Sequence, residues 1–257
     1  MVNILIIKNL LNKIQINYLT YLMYFIGLLS GLFKDLFAIF LLILFHETGH
    51  FLSAIHYKWN IKKIIIYPFG GLTKYEDIID KPLKEELIIS ISGITFQCLY
   101  YLIIYLLNKH YLIDARFFYL TKKYNFSIII FNLIPIIPLD GSKIYNVLLN
   151  KVFNFRLSYY ITLITSLFLF IIFIIYFKFD KSNIIISSFM IFELIDSYKK
   201  RKYYFKRFIL EKYLYNNPYK KYKYIKNIKN MNRNKKHLIK DNNIYLSEKK
   251  YIKKRSI

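Results

Sequence analysis

The amino-acid sequence predicts an all-α membrane protein with about six transmembrane helices, a short membrane-surface β-hairpin or loop, and one span broken by proline. Apolar side chains make up 56% of the 257 residues, and three uncharged stretches have the length that a bilayer-crossing helix needs. The formal net charge of +24 is uneven, because residues 199–257 hold 21 Lys+Arg and 3 Asp+Glu. We therefore expect a transmembrane domain over 1–198 and a basic cytoplasmic tail over 199–257.

The three strong spans are uncharged and bounded by charged residues. They run from Ile14 to Phe33, from Leu87 to Asn108 and from Leu157 to Phe177. No small-residue cleavage site follows the first stretch, so we expect it to remain as a span and not to act as a signal peptide.

Three weaker spans complete the predicted set. Leu36 to Tyr57 contains histidines and a glutamate, Tyr124 to Leu139 is interrupted by two prolines, and Ser182 to Phe192 is short. The basic run that begins at Lys199 directly follows the last of them and predicts a cytoplasmic tail. With an even number of spans, the N-terminus is predicted to be cytoplasmic too.

A β-rich segment separates the second and third spans. Three consecutive isoleucines begin at Ile64 and lead into Pro68, Phe69, Gly70 and Gly71. This pattern predicts a short hairpin or loop at the membrane surface, which is a candidate edge for an extended substrate to pair with. Phe69 is the candidate substrate contact on it.

The tail after Tyr198 is too polar to predict a second core. A possible amphipathic helix, Tyr203 to Tyr215, is expected to be followed by disorder. Interleaved Tyr and Lys residues near Lys220 leave open a nucleic-acid-binding role, but a juxtamembrane polybasic stretch is more simply an anchor on anionic lipid. We expect no nucleic-acid partner.

The chemistry centres on a His-Glu-x-x-His motif in the second span, formed by His46, Glu47 and His50. On a helix, residues four apart share a face, so both histidines can hold one metal ion. Zinc suits two neutral imidazoles, and Glu47 is placed to act as the catalytic base. Cys98 is the sole cysteine, which excludes a Cys-rich zinc site.

A catalytic zinc site needs a third protein ligand, and Asp140 is the candidate. Pro135 and Pro138 must interrupt the helix before it, which predicts an unwound segment at membrane depth. Asp140 could alternatively mark only the aqueous end of the span. Asn132 either satisfies freed backbone groups or, with Pro135, contacts an extended substrate. Gly93 is expected to be a helix-packing residue.

Taken in order, these motifs resemble the site-2 protease family of intramembrane zinc metalloproteases, and within it the sporulation enzymes of endospore-forming bacteria. The resemblance covers residues from about 14 to 215, from the His46–His50 motif through Pro68–Gly71 to Asn132–Gly141. It implies a multi-pass membrane enzyme with one zinc ion held by His46, His50 and Asp140. Glu47 would be the catalytic acid/base.

The resemblance also implies biological partners. The expected substrate is the membrane-associated precursor of sigma factor K, with inhibitory membrane proteins as partners and the outer forespore membrane as the location. Residues 216–257 are too short and polar for the nucleotide-sensing CBS domain of the sporulation enzymes. Alternatives are cleavage of another membrane-tethered factor or of remnant signal peptides and, in another class, a membrane metal transporter.

Overall fold

The computed structural model describes residues 14–67, 70–75, 79–177, 181–215, 219, 221–241 and 244–255. Its helices are α1 (Tyr18–Leu29), α2 (Phe33–His56), α3 (Leu83–Lys109), α4 (Ala115–Leu133), α5 (Asp140–Val152), α6 (Phe155–Phe177), α7 (Lys181–Leu214) and α8 (Glu248–Arg255). Its strands are β1 (Ile14–Ile16), β2 (Ile61–Tyr67), β3 (Gly70–Tyr75), β4 (Tyr222–Ile225), β5 (Lys236–Asp241) and β6 (Ile244–Ser247). The chain divides into two units, each described separately below.

Three helices among the described residues are long and apolar enough to cross a membrane. They are Phe33–His56, Leu83–Lys109 and Phe155–Tyr176. They agree with three of the predicted spans, with boundaries shifted by a few residues. The predicted total of six stays a prediction.

The first predicted span is wrong as a single long helix. Residues Ile14–Ile16 form β1, which pairs in parallel with β2, and α1 that follows has only 12 residues. A helix of that length is about 18 Å long, shorter than the bilayer core of about 30 Å. Hydropathy could not reveal the difference, because the partner of β1 lies some 50 residues along the chain.

The first unit, Met1–Asp77 with Ile88–Asn132, places a three-stranded sheet beside α2. Strand β2 lies between β1 and β3, and it pairs antiparallel with β3, with Ile64 opposite Thr73 and Ile66 opposite Gly71. A buried apolar cluster of Phe51, Ala54, Ile61, Ile64 and Ile89 joins α2, β2 and α3. Because side chains alternate along a strand, Gly71 and Thr73 share one face of β3.

The second unit, Ile78–Leu87 with Leu133–Ile257, contains a folded C-terminal module. Strand β5 pairs in parallel with β4 and antiparallel with β6, and α8 follows. The expectation of disorder after the short helix is therefore wrong for the described part of the tail. The helix itself is also longer than predicted, since α7 runs for 34 residues.

The tail folds because helices α6 and α7 supply part of the core of its sheet. Ile225, Met231, Ile239 and Tyr251 are buried with Phe155 of α6 and Phe208 of α7. The rings of Phe155 and Phe208 stack with centroids 4.4 Å apart. Composition counted within residues 199–257 alone misses the contribution of Phe155.

A buried ion pair joins the segment before α3 to α7. Lys212 Nζ lies 2.7 Å from Asp80 Oδ2, and the two side chains are 0% and 1% exposed. Burial raises the pKa of the Asp80 carboxyl, whereas Lys212 acts to lower it. Arg233 pairs in the same way with Glu86, at 2.6 Å. Within this unit, charge pairs therefore connect residues 80–86 to the C-terminal module.

Candidate metal centre

The Nε2 atoms of the two histidines in the motif lie close together. His46 and His50 lie one turn apart on α2 and are 4% and 3% exposed. Their Nε2 atoms are 3.1 Å apart. Two nitrogens bound to one tetrahedral zinc ion would be about 3.3–3.4 Å apart, since each zinc–nitrogen bond is about 2.0–2.1 Å. The pair therefore fits a single ion.

Hydrogen bonds at the other ring nitrogens orient both imidazoles. His46 Nδ1 lies 2.9 Å from Gln97 Oε1, and His50 Nδ1 lies 2.7 Å from the carbonyl oxygen of Ile89. Since each partner atom is an acceptor, each Nδ1 carries the proton and donates it. Each Nε2 then carries the lone pair that a metal ligand needs.

Helix α4 in turn holds Gln97. The Gln97 amide nitrogen donates to the carbonyl oxygen of Asn125 at 3.1 Å and to its side-chain oxygen at 3.0 Å. Gln97 is 0% exposed in the middle of an apolar helix. This second layer of hydrogen bonds fixes the Gln97 oxygen toward His46.

Glu47 completes the cluster. Ligand atoms of His46, Glu47 and His50 lie within 4.8 Å of one another, and all three residues are buried. Thr73 Oγ1 of β3 donates to Glu47 Oε2 at 2.8 Å. The sheet therefore positions the carboxylate beside the two histidines.

Two glycines provide the space that the cluster occupies. A Cβ atom added to Gly71 would lie 2.2 Å from Glu47 Cδ, and one added to Gly93 would lie 2.4 Å from His50 Nε2. Gly93 is thus a packing residue, as expected, but the atoms it packs against are the Nε2 atoms of His46 and His50. No side chain larger than hydrogen fits at either position without moving the cluster.

The remaining predicted site residues have different surroundings. Asp140 is the first residue of α5, buried, with Lys143 Nζ 2.8 Å from its Oδ1. Its role as a metal ligand stays a prediction. The Asn132 amide donates to the carbonyl oxygen of Ile128 one turn back, and the Pro135 carbonyl accepts from Ser166. Phe69 lies outside the described residues.

Sequence reasoning missed the residues that support the cluster. Gln97, Asn125 and Thr73 are ordinary in sequence, and only their contacts show what they do. Gly71 was part of the predicted hairpin, but its close approach to Glu47 is visible only in the structure. One signal was available: Gln97 places a side-chain amide in the middle of an uncharged span, and polar residues at that depth are functional candidates.

Comparison with known proteins shows which family the sequence around the cluster matches. The model for peptidase family M50 matches residues 35–113 and 112–176, a stretch that includes the whole motif. Stage IV sporulation protein FB of Bacillus subtilis (strain 168) is 32% identical over 211 residues, covering 80% of this chain and 73% of that protein. A zinc metalloprotease of Methanocaldococcus jannaschii is 27% identical over 154 residues, covering 57% of this chain and 44% of that protein.

A solved structure supports the same fold. The site-2 protease from Methanocaldococcus jannaschii matches with a TM-score of 0.56 and 24% identity, covering 74% of this chain and 91% of that chain. The family favours the protease over the metal transporter, and it implies zinc as the metal for the histidine cluster. The chain belongs to peptidase family M50 and is an intramembrane metalloprotease, integral to the membrane.

Proposed function

We propose that the protein hydrolyses a peptide bond in a membrane-associated substrate, at one zinc ion held by His46, His50 and Asp140. The observation that carries this proposal is the pair of Nε2 atoms 3.1 Å apart with Glu47 beside them. Bound zinc would supply Lewis acidity to the water and to the scissile carbonyl. Asp140 contributes the carboxylate that a three-ligand catalytic site needs.

Glu47 moves the proton in the proposed reaction. Its Oε2 accepts the hydrogen bond from Thr73, so Oε1 is the oxygen that takes a proton from the attacking water. The same carboxyl then returns the proton to the nitrogen of the leaving amine. The hydrogen bond from Thr73 keeps the carboxylate in one orientation through both transfers.

The substrate binds as an extended segment beside β3. A transmembrane helix hides its carbonyl groups in hydrogen bonds, so it must unwind before attack. Strand β3 is an edge of its sheet among the described residues, and its Gly71 and Thr73 reach Glu47. A substrate strand added at this edge would bring a carbonyl group toward the cluster. Phe69, Asn132 and Pro135 are the side chains proposed to contact it.

Replacement of Phe69 tests this binding mode. Phe69→Ala is expected to slow cleavage while zinc content stays at the wild-type value, because Phe69 directly precedes Gly70 in the sequence and is not one of the proposed metal ligands. Unchanged turnover by Phe69→Ala would contradict substrate binding at the hairpin.

We propose the precursor of sigma factor K as the substrate, inhibitory membrane proteins as partners and the outer forespore membrane as the location. Support comes from the 32% identity to a stage IV sporulation protein. Co-expression with a tagged precursor from the same genome tests the substrate. A shorter tagged product with the wild-type protein and none with Glu47→Gln is expected. No shortening by a zinc-loaded protein would reject this precursor in favour of another membrane-tethered factor or remnant signal peptides.

The basic tail is proposed to lie in the cytoplasm, as is the N-terminus, and to bind anionic lipid. Residues 199–257 carry most of the net positive charge, and a basic residue near an anionic surface contributes about 1 kcal/mol. Liposome binding should therefore rise with the fraction of anionic lipid and fall with salt. Binding that ignored lipid charge would contradict this role.

A further inference from the structure

The second unit contains a cationic pocket that takes no part in the proposed proteolysis. It has a volume of about 220 Å³ and lies between the first two turns of α6 and the middle of α7. Its lining includes Arg156, Arg201, Lys202, Lys206 and Lys229. Aromatic rings, among them Tyr160 and Phe205, form the rest of the wall, and none of the lining residues is acidic.

Two arginines, Arg156 and Arg201, line this pocket, and aromatic contacts hold each of them. The Arg156 guanidinium lies 5.7 Å from the Tyr160 ring centroid and 5.9 Å from that of Phe205. Arg201 donates to the carbonyl oxygen of Tyr198 at 2.8 Å, and its guanidinium lies 3.7 Å from the centroid of the Tyr198 ring. The guanidinium groups are therefore positioned before any ligand binds.

Several positive charges that line one pocket without a carboxylate favour an anionic ligand. Guanidinium groups match phosphate oxygens with two parallel hydrogen bonds, which suits an arginine pair to a phosphate ester. The volume is equivalent to about seven waters at about 30 Å³ each, more than a single small ion fills.

The position of the pocket indicates the source of the phosphate. Helix α6 begins at Phe155 and provides the candidate membrane span Phe155–Tyr176, so its first two turns lie at one end of a span. Tyrosines at such an end are typical of the membrane interface, and basic pockets between helices at this level bind lipid headgroups. We propose that Arg156 and Arg201 form a stoichiometric site for the phosphate of an anionic phospholipid, distinct from diffuse attraction by the tail.

Lipid titration of the full chain tests this site. Phosphatidylglycerol, with phosphatidylcholine as the matched neutral lipid, is added to protein in neutral detergent, and bound lipids per chain are counted by native mass spectrometry. The wild-type protein is expected to bind one phosphatidylglycerol tightly. Arg156→Gln with Arg201→Gln should weaken binding at least about tenfold, because one lost charge-assisted hydrogen bond is worth about that factor.

A matched control variant distinguishes lipid binding at the pocket from a general effect of net charge. Lys109→Gln with Lys122→Gln removes the same charge from exposed positions outside the pocket and should bind lipid as the wild type does. Equal phosphatidylglycerol binding by the wild type and the arginine variant would overturn the proposal, as would equal loss in both double variants. Displacement of the lipid by millimolar inorganic phosphate would assign the pocket to free phosphate and reject the lipid.

A second variant keeps the test decisive if the glutamine variant does not fold, as judged by its thermal unfolding midpoint. Arg156→Lys with Arg201→Lys keeps the charge but loses the paired geometry. It should bind several-fold more weakly, whereas wild-type affinity would show that charge alone suffices and would overturn the arginine site.

Discussion

At the scale of single residues, the proposed catalytic cluster depends on positions that carry no chemistry of their own. Gly71 and Gly70 are neighbours on β3, yet a Cβ at Gly71 would lie 2.2 Å from Glu47 Cδ, whereas one at Gly70 meets nothing within 4 Å. Gly71→Ala is therefore expected to displace Glu47 and lower the rate of cleavage about 100-fold, the scale of a lost general base. Gly70→Ala should cleave at the wild-type rate, and equal rates for the two variants would contradict this packing.

Gln97 is the residue on which the orientation of His46 depends. Gln97→Leu keeps the approximate volume but removes the oxygen that accepts from His46 Nδ1. Loss of such a partner typically weakens metal binding about 10–100-fold, and zinc competition with a chelator would measure it. Cys98→Ala, at the exposed adjacent position, is the control. Unchanged zinc affinity in Gln97→Leu would show that the ring is held by other contacts.

At the scale of the element, the buried Asp80–Lys212 pair links the segment before α3 and the end of α7 to the C-terminal module, because Asp80 also accepts from the Asn234 amide and Lys212 also donates to the Lys235 carbonyl oxygen. Asp80→Asn leaves Lys212 buried without a counter-charge, which should destabilise the module by about 3–5 kcal/mol. Faster hydrogen–deuterium exchange of the β5 amides would report this loss. Lys254→Met breaks an exposed pair with Asp241 and should change exchange little, since such pairs contribute at most about 1 kcal/mol. Slow exchange in Asp80→Asn would contradict the attachment.

Elements whose own segment carries a recognisable sequence pattern were predictable. Elements that depend on residues far away in the sequence were not. The α2 helix follows from an apolar stretch with one turn between His46 and His50. Strand β1 forms by parallel pairing with β2, and the tail sheet packs on Phe155 of α6, so neither can be predicted from its own segment alone. In the cluster, the motif predicted the metal-binding face, whereas the supports from Gln97 and Thr73 come from other elements.

At the scale of the whole molecule, we assign metal binding and lipid binding to different residues of the chain. The histidine cluster lies in the first unit, and the cationic pocket and the folded tail lie in the second. Asp140, at the start of α5, is the residue of the second unit that we assign to the reaction. Loss of zinc from Asp140→Ala at the chelator concentration that spares the wild type would support that assignment.

The most direct test of the account is a paired measurement of zinc content and cleavage in Glu47→Gln. The variant keeps both histidines and their hydrogen bonds, so it should hold one zinc ion per chain as the wild type does. Its cleavage of a substrate that the wild type processes should fall by at least about 100-fold, because the proton acceptor is gone. Cleavage at the wild-type rate with zinc bound would contradict the role of Glu47, and with it the proposed chemistry of the cluster.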